Sequence, residues 1–255
     1  AINGVRPLNP KATRLVGPAY TLRYIPGRED LDKPPTPADP PSAQRQAIEE
    51  TPPGAVLVIG TEGNTRSGTL GDILALRLKV RGVAGVLSDG AMRDTPVIGG
   101  FDFPVYCTAA AAPPSMNHLH PVECQTPVGI CGVPVYPGDV IVADEDGAIV
   151  VPRHLADEVA RDSFEQERLE KFVAIRVAQG HGIPGTYPPN DETKKLYQAW
   201  IKAGEPPNGA LQRPCCRRRT NSGVGWPSAG MPIFFWYSRT AERVLGPSRP
   251  STSSV

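Results

Sequence analysis

The sequence predicts an α/β protein with one mixed β-sheet, and three features indicate this class. Residues 55–59 and 83–88 are continuous apolar runs, as in strands that are covered on both faces. A helical pattern over residues 73–80 lies between them, so the unit should be a right-handed βαβ crossover with parallel strands. Farther along, the turn signal Asp146-Gly147 lies between two apolar segments and predicts an antiparallel hairpin.

The first element predicted is a strand over residues 19–24, which begins after Gly17-Pro18. Its alternation places three large side chains on one face: Tyr20, Leu22 and Tyr24. A polar, proline-rich loop over residues 26–41 follows.

The helices follow from their end signals. Ser42 fits the N-cap of a helix over residues 42–50, and Gly82 fits the left-handed position after helix 73–80. Amphipathic patterns predict a long helix over residues 153–178 and a shorter one over 191–203. Short strands are expected around residues 105–107, 128–130, 133–135, 140–143 and 148–151.

The composition divides the chain near residue 206. With 255 residues and 40% hydrophobic content, the chain can build one sizeable core, and we expect one domain over residues 1–205. Residues 206–255 contain seven of the 27 basic residues and one of the 26 acidic ones, so the body carries about −5 and the tail about +6. This Pro/Ser/Arg-rich tail is expected to be a disordered or non-native extension, the alternative being a basic arm for nucleic acid or anionic lipid.

The overall balance excludes several classes of protein. The formal net charge is +1, so nucleic acid is not expected as the main partner. No apolar run reaches the length of about 18 residues that a membrane span needs, and the first ten residues do not resemble a signal peptide, so we expect a cytoplasmic protein. The five cysteines are odd in number and form no C-x-x-C pair, which favours buried, reduced thiols over disulfides.

A glycine-rich loop over residues 60–72 leads directly into the helix at 73–80. Such a loop offers free backbone N–H groups at the positive end of a helix dipole, which is a typical anion site. It matches neither the dinucleotide pattern G-x-G-x-x-G nor the P-loop G-x-x-x-x-G-K-[ST], so a small carboxylate fits better than a pyrophosphate.

A second polar segment, residues 88–94, begins at the carboxyl end of the next parallel strand, where open α/β sheets bind their ligands. Arg93 offers a planar donor fork that matches a carboxylate, and Asp94 offers hard oxygens for Mg²⁺ or Mn²⁺. The alternative is a surface Arg–Asp pair at a turn. Asp89 is either a residue that orients Arg93 or a turn-former with Gly90, and the sequence leaves both possibilities open.

The spacing of Asp72, twenty residues and Arg93-Asp94 resembles the D-x20-R-D motif of the class II pyruvate aldolases, the 4-hydroxy-4-methyl-2-oxoglutarate (HMG) aldolases of the RraA-like family. The resemblance covers roughly residues 4–204. Its other motifs are Val16-Gly17-Pro18-Ala19, Gly68-x-x-Gly71-Asp72, Asp89-Gly90-x-x-Arg93-Asp94, and the stretch from Pro137-Gly138-Asp139 to Val151-Pro152.

The resemblance implies a swivelling β/β/α domain that assembles as a homotrimer, or a dimer of trimers, with its sites at subunit interfaces. The substrate would be held by backbone around Gly71, Asp72, Ile73 and Leu74 and by the Arg93 side chain. Asp94 would ligate the divalent metal cation, Mg²⁺ or Mn²⁺, and Asp72 would orient a water. Glu29 or Asp30 is a candidate for an acid contributed by a neighbouring subunit.

The reaction that the resemblance implies is retro-aldol cleavage of HMG, or a related 4-hydroxy-2-oxo acid, to pyruvate through an enolate. Oxaloacetate decarboxylase activity reaches the same enolate and is expected as a side reaction. The alternative, also found in the family, is a non-enzymatic regulator that binds and inhibits ribonuclease E. The proline-rich insertion at residues 33–41 departs from short family members and could alter the substrate.

Two further clusters each have an ordinary interpretation. His118 and His120 invite a zinc site with Cys124, but no second ligand cluster has a recognised spacing, so loop or interface histidines are expected. The acidic run over residues 144–146 is better explained by the hairpin turn.

Overall fold

The computed structural model describes residues 1–34, 36 and 38–206, and these form two compact units. The first unit is Ala1–Val159, and the second begins at Ala160. Apart from Pro206, the basic tail predicted over residues 206–255 lies outside the described residues, and the assignment of residues 1–205 to one domain stays a prediction.

The first unit contains most of the regular elements. Its strands are β1 (Arg6–Pro7), β2 (Leu15–Pro26), β3 (Val56–Gly60), β4 (Gly85–Ser88), β5 (Ala91–Met92), β6 (Val105–Cys107), β7 (Ala109–Ala110), β8 (Leu119–Cys124), β9 (Val128–Ile130), β10 (Val133–Val135), β11 (Val140–Asp144) and β12 (Gly147–Val151). Its helices are α1 (Ala43–Glu50), α2 (Asp72–Val80) and α3 (Thr95–Ile98). Single 3₁₀ turns cover Ser115–Asn117 and Arg153–Leu155, and α4 (Ala156–Ala178) and α5 (Asp191–Lys202) follow.

The main sheet is mixed, which confirms the predicted α/β class. Its strand order is β1-β6-β4-β3-β2-β11-β12, with β8 also paired to β2. Strands β2, β3, β4 and β6 run parallel to one another, whereas β1, β8, β11 and β12 pair antiparallel to their neighbours. The predicted βαβ unit is therefore present as β3, α2 and β4.

Both faces of the sheet are buried, which explains the continuous apolar runs. Leu57 and Ile59 of β3 pack in one hydrophobic cluster with residues of α1, α2 and α3. Val56 and Val58 point the other way and pack with residues of the β9–β10 hairpin and β11. Alternate residues of β3 thus pack in two different hydrophobic clusters, which explains why this strand contains no polar side chain.

The first long strand extends beyond its predicted start. β2 runs through Gly17 and Pro18, and both residues pair with β11. Gly17 is required there because a Cβ would collide with the Gly54 carbonyl oxygen. The predicted shared face is confirmed, since the three alternating side chains lie in one cluster: Tyr20, Leu22 and Tyr24.

The end signals of two helices are also confirmed. The Ser42 side chain accepts a hydrogen bond from the backbone N–H of Arg45, and Gly82 has a φ of +78° immediately after the C-cap of α2. The β11–β12 hairpin has the predicted strands, but Asp144 pairs with Gly147, so its two-residue loop is Glu145-Asp146 rather than Asp146-Gly147.

The described cysteines are free thiols, as expected, but they are not uniformly buried. Cys107 is buried, whereas Cys131 is exposed because it occupies the β9–β10 turn with a φ of +48°. Cys215 and Cys216 lie outside the described residues. No helix in the described part of the chain is long and apolar enough to cross a membrane.

The second unit has an aromatic core of its own. The rings of Phe172, Tyr197 and Trp200 lie with centroids 5.5–6.2 Å apart. Arg168 forms an ion pair with Glu205 at 2.7 Å. The long helix predicted from residue 153 begins at Ala156, after the 3₁₀ turn.

Candidate functional site

The loop after β3 and the segment after β4 lie side by side at the carboxyl ends of their strands. The Thr69 N–H donates to the Ala91 carbonyl at 2.9 Å, and the Arg93 N–H donates to the Leu70 carbonyl at 2.8 Å. Main-chain hydrogen bonds therefore bring the two polar segments singled out in the sequence together.

Two glycines permit this close approach. A Cβ at Gly68 would lie 2.5 Å from the Arg93 Cγ and 2.7 Å from the Arg93 N. A Cβ at Gly71 would lie 2.7 Å from the Asp94 Oδ2. The Gly68-x-x-Gly71 motif thus makes room for the backbone and side chains of Arg93 and Asp94.

The N-terminus of α2 faces Asp94. Gly71 is its N-cap and has no side chain to accept from the first N–H groups. The Asp72 N–H is 3.4 Å from the Asp94 Oδ2, and the Ile73 N–H donates to the Oδ1 of Asp72 at 2.8 Å. The Leu74 N–H has no acceptor among the described residues. The first turn therefore presents donors that an anion can accept from.

Arg93 is half-buried, and its Nε is fully buried without a hydrogen-bond partner in the described part of the chain. A buried donor of this kind carries a desolvation cost unless a ligand or water accepts from it. The guanidinium is thus positioned by Gly68 and left with unused donor capacity.

Asp94 has left-handed backbone geometry, with φ 52° and ψ 33°. Its main-chain carbonyl accepts from Val97 and Ile98 and so begins α3, while its side chain makes no capping bond to that helix. The carboxylate is therefore exposed and directed at the start of α2. A non-glycine residue held in this region costs of order 1 kcal/mol, which is common at functional sites.

Of the two roles that the sequence left open for Asp89, orientation of Arg93 is not seen among its hydrogen bonds, whereas the chain does bend at Asp89-Gly90. Asp89 is buried, and its carboxylate accepts from the Thr61 N–H at 2.7 Å, the Thr61 hydroxyl at 2.9 Å and the Gly63 N–H at 2.9 Å. It therefore fixes the start of the glycine-rich loop and does not contact Arg93. Burial raises the pKa of this carboxyl above its usual range, although the hydrogen bonds from Thr61 and Gly63 oppose the rise.

The described residues contain no group of three or more His, Cys, Asp or Glu side chains placed to hold a metal ion. One histidine of this cluster has an ordinary partner, since the His120 Nδ1 forms a hydrogen bond with the Asp32 Oδ1 at 2.6 Å. A metal at the candidate site would have Asp94 as its carboxylate, with water and substrate in the remaining positions. That donor set suits Mg²⁺ or Mn²⁺, which keep several waters and use one or two carboxylates.

The two candidates for an acid from a neighbouring subunit differ in their contacts. Both Asp30 oxygens accept from the Arg28 guanidinium, at 2.9 and 2.5 Å, and this partner lowers the pKa of Asp30. Glu29 is exposed and has no side-chain partner among the described residues. Glu29 is therefore the freer of the two.

A groove of about 740 Å³ lies between α1 and α2 beside this site, and we call it the α1–α2 groove. No sequence pattern indicates this groove, because it depends on how the two helices pack. Its lining residues are Pro41, Arg45, Gln46, Ile48, Glu49, Glu50, Ile73, Leu74 and Arg77. Ile73 and Leu74 belong to both the groove and the predicted substrate site.

The outer face of α2 carries an exposed apolar stripe. Ile73, Leu76 and Val80 are 76%, 47% and 70% exposed, and they lie at helical spacing. Val97, just after Asp94 in α3, is 49% exposed. This much unpartnered apolar surface next to a candidate site is typical of a protein interface.

A family model described as RraA-like, Aldolase/RraA, matches residues 1–150 of the chain. A relative from Halalkalibacterium halodurans, which carries the provisional name 4-hydroxy-4-methyl-2-oxoglutarate aldolase, is 30% identical over 167 residues, 64% of this chain and 71% of the relative. Protein DlpA of Legionella pneumophila is 29% identical over 179 residues, 69% of this chain, and the match spans 27% of the length of DlpA.

Among solved structures, the chain is similar to RraAS2 of Streptomyces coelicolor, described as an unusual member of the RNase ES inhibitor RraA protein family. The TM-score is 0.59 with 36% identity, over 67% of this chain and 81% of that one.

Proposed function

The chain belongs to the RraA-like family, and from that premise we propose that it is a divalent-metal-dependent class II pyruvate aldolase. It cleaves HMG, or a related 4-hydroxy-2-oxo acid, to pyruvate through an enolate. The observation that carries the proposal is the placement of Arg93 and Asp94 against the open N-terminus of α2. An interaction surface alone has no need of an exposed carboxylate on left-handed backbone beside the Leu74 N–H and the Arg93 Nε, which lack acceptors among the described residues.

Arg93 and the first N–H groups of α2 bind the 2-oxo acid end of the substrate. The guanidinium holds a carboxylate in a planar fork, and the free Leu74 N–H adds a donor. The Ile73 N–H becomes available when the Asp72 side chain rotates away from it. These donors are fixed before the reaction, so they stabilise negative charge where it develops.

Asp94 holds the divalent cation. The cation, when bound, supplies Lewis-acid polarisation of the 2-oxo group and stabilises the charge of the enolate. The fit rests on the exposed Asp94 carboxylate, which makes no capping bond to α3 and whose contact with α2 is the long one from the Asp72 N–H at 3.4 Å.

Asp72 positions the water that accepts the C4 hydroxyl proton. Its Oδ1 accepts from the Ile73 N–H in the free protein. Once that N–H passes to the substrate, the Asp72 carboxylate is free to orient a water beside it. Loss of that proton breaks the C3–C4 bond, and the electron pair passes to the pyruvate enolate, which is then protonated at C3. Decarboxylation of oxaloacetate forms the same enolate without this proton transfer, so it is the expected side reaction.

The active form is a homotrimer or a dimer of trimers, with the site at a subunit interface. The exposed stripe of Ile73, Leu76 and Val80 supports this, because burial of each large apolar side chain contributes about 1.5–3 kcal/mol. Glu29 of a neighbouring subunit is the acid proposed to complete the site. The substrate is a small 2-oxo acid, and neither nucleic acid nor membrane is a proposed partner.

The second candidate function is inhibition of a ribonuclease of the RNase E type, without catalysis. The similarity to RraAS2, which is described as a member of an RNase ES inhibitor family, favours it. The two functions differ in their dependence on Asp94, which an inhibitor does not require.

The test is release of pyruvate from HMG and from oxaloacetate with Mg²⁺, followed with lactate dehydrogenase. We expect activity that EDTA abolishes and Mg²⁺ restores, with Arg93→Ala and Asp94→Ala inactive. Thr65→Ala, at an exposed position in the same loop, is the control and should remain active. Pyruvate release that is unaffected by EDTA and by Asp94→Ala would refute the mechanism.

A further inference from the structure

The first turn of α2 has three N–H groups for an anion, and two of them are already directed at carboxylates of the chain itself. The Ile73 N–H donates to the Asp72 Oδ1 at 2.8 Å, and the Asp72 N–H lies 3.4 Å from the Asp94 Oδ2. The Leu74 N–H has no acceptor among the described residues. A ligand carboxylate that accepts from both Ile73 and Leu74 must therefore displace the Asp72 side chain.

The main chain before α2 is fixed, so the Asp72 side chain is the part that can move. The Gln44 side chain donates to the Thr69 carbonyl at 2.5 Å, and the Thr69 N–H donates to the Ala91 carbonyl at 2.9 Å, which holds this segment from two sides. The Asp72 side chain is partly exposed and, within the described residues, accepts from the Ile73 N–H alone. It can rotate into solvent without breaking any other bond of its own.

Charge adds to this competition. Asp72 and Asp94 place two carboxylates at the turn where the ligand carboxylate must bind, and like charges at close range repel one another. Rotation of the Asp72 side chain moves one of these charges away and frees the Ile73 N–H. When only a fraction of a site is open to its ligand, the apparent affinity falls by that fraction. The Asp72–Ile73 bond should therefore weaken the binding of a 2-oxo acid.

We propose that Asp72 is an internal competitor of the 2-oxo acid, which keeps the binding of pyruvate weak. With the site empty, Asp72 holds the Ile73 N–H. A bound carboxylate takes that N–H, and the released Asp72 side chain then orients the water. When pyruvate leaves, the Asp72–Ile73 bond re-forms and opposes its return. The inference rests on the proposed function and extends it from the cleavage step to product release.

The experiment measures the Kd of pyruvate by isothermal titration calorimetry with Mg²⁺ present. Asp72→Ala should bind pyruvate about fivefold more tightly than the wild type, because the Ile73 N–H is free and one negative charge is absent. Asp72→Asn, whose neutral side-chain oxygen still accepts from that N–H, should fall between the two, and it is the second variant if Asp72→Ala does not fold. Glu62→Gln removes one charge at an exposed position of the glycine-rich loop and should bind pyruvate as the wild type does.

Turnover of HMG distinguishes competition from other roles of Asp72. Both Asp72 variants should have a lower kcat than the wild type, because the water loses the group that positions it, so tighter product binding should accompany a slower reaction. A residue that only orients the water would leave the Kd of pyruvate unchanged. A residue that helps to hold the ligand or the fold would weaken pyruvate binding when replaced. Either result overturns the inference.

Exchange of the pyruvate methyl protons with D₂O, followed by proton NMR, tests the proposed function independently of pyruvate affinity. A wild-type enzyme that neither exchanges these protons nor cleaves HMG overturns the proposed function and this inference with it. Exchange and cleavage by the wild type, with no tighter pyruvate binding in the Asp72 variants, overturns the inference alone.

Discussion

Replacing Gly68 by alanine tests the idea that close backbone approach builds the site. The added methyl would lie 2.5 Å from the Arg93 Cγ, 2.7 Å from the Arg93 N and 2.9 Å from the Met92 carbonyl carbon. Two of these atoms are backbone, so the clash cannot be relieved by a side-chain rotation alone. Overpacking of this kind costs about 1–3 kcal/mol, and the two segments must separate to accommodate it.

The expected result has two parts. Urea unfolding should show a loss of about 1–3 kcal/mol in the free energy of unfolding, and kcat/KM for HMG should fall about 100-fold, as for a displacement of roughly 1 Å at a reacting group. Gly129→Ala is the matched control, because a Cβ there meets no atom within 4 Å. A Gly68→Ala variant with wild-type stability and wild-type kcat/KM would show that the contact between residues 68 and 93 is not what positions Arg93.

Three further predictions concern the charge of Asp94, the buried carboxyl of Asp89 and the apolar stripe on α2. Asp94→Asn should keep the left-handed turn, so the free energy of unfolding in urea should change by less than about 0.5 kcal/mol. The variant should nevertheless lose Mg²⁺-dependent pyruvate release. Full activity would exclude Asp94 as the metal ligand. Burial raises the pKa of Asp89 in the folded state above the usual 3.8, so the folded protein binds this proton more tightly than the unfolded chain does. The free energy of unfolding should therefore fall as pH rises from 3.8 through the folded pKa. Asp89→Asn should remove that part of the pH dependence, and identical slopes in the two proteins would contradict the assignment. The double variant Leu76→Glu, Val80→Glu should have the mass of a monomer in light scattering. Lys79→Glu, on the same helix, should not change the mass. An unchanged mass in the double variant would place the interface elsewhere.

The sequence predicted the parts of the fold that depend on local pattern. Continuous apolar runs identified β3 and β4 because both faces of the sheet are buried, and Ser42 and Gly82 marked helix ends through their own backbone chemistry. β8 was not predicted as a strand because Pro121 interrupts it; the structure accommodates that proline where the β2–β8 register shifts, so that Arg23 pairs with Glu123 and Tyr24 with Pro121.

The sequence predicted which two segments form the candidate site, but not how their side chains are arranged. Adjacent parallel strands place their carboxyl ends together, so the proximity of residues 60–72 and 88–94 follows from pattern alone. The sequence pattern does not predict the left-handed backbone of Asp94 or the buried Nε of Arg93. Both depend on how tightly Gly68 and Gly71 pack against the neighbouring segment. The α1–α2 groove depends on helix packing, to which residues far apart in the sequence contribute.

The Gln44–Thr69 hydrogen bond joins the glycine-rich loop to α1, and these two regions differ in how easily their residues can be substituted. On its loop side, a Cβ at Gly68 would collide with the Arg93 backbone and one at Gly71 with the Asp94 carboxylate, so a substitution there would displace the proposed site residues. On its α1 side, Arg45 and Gln46 are exposed and can be replaced without disturbing a core. A protein built this way can change the lining of the α1–α2 groove through one turn of a surface helix, while Arg93 and Asp94 stay where the main chain has put them.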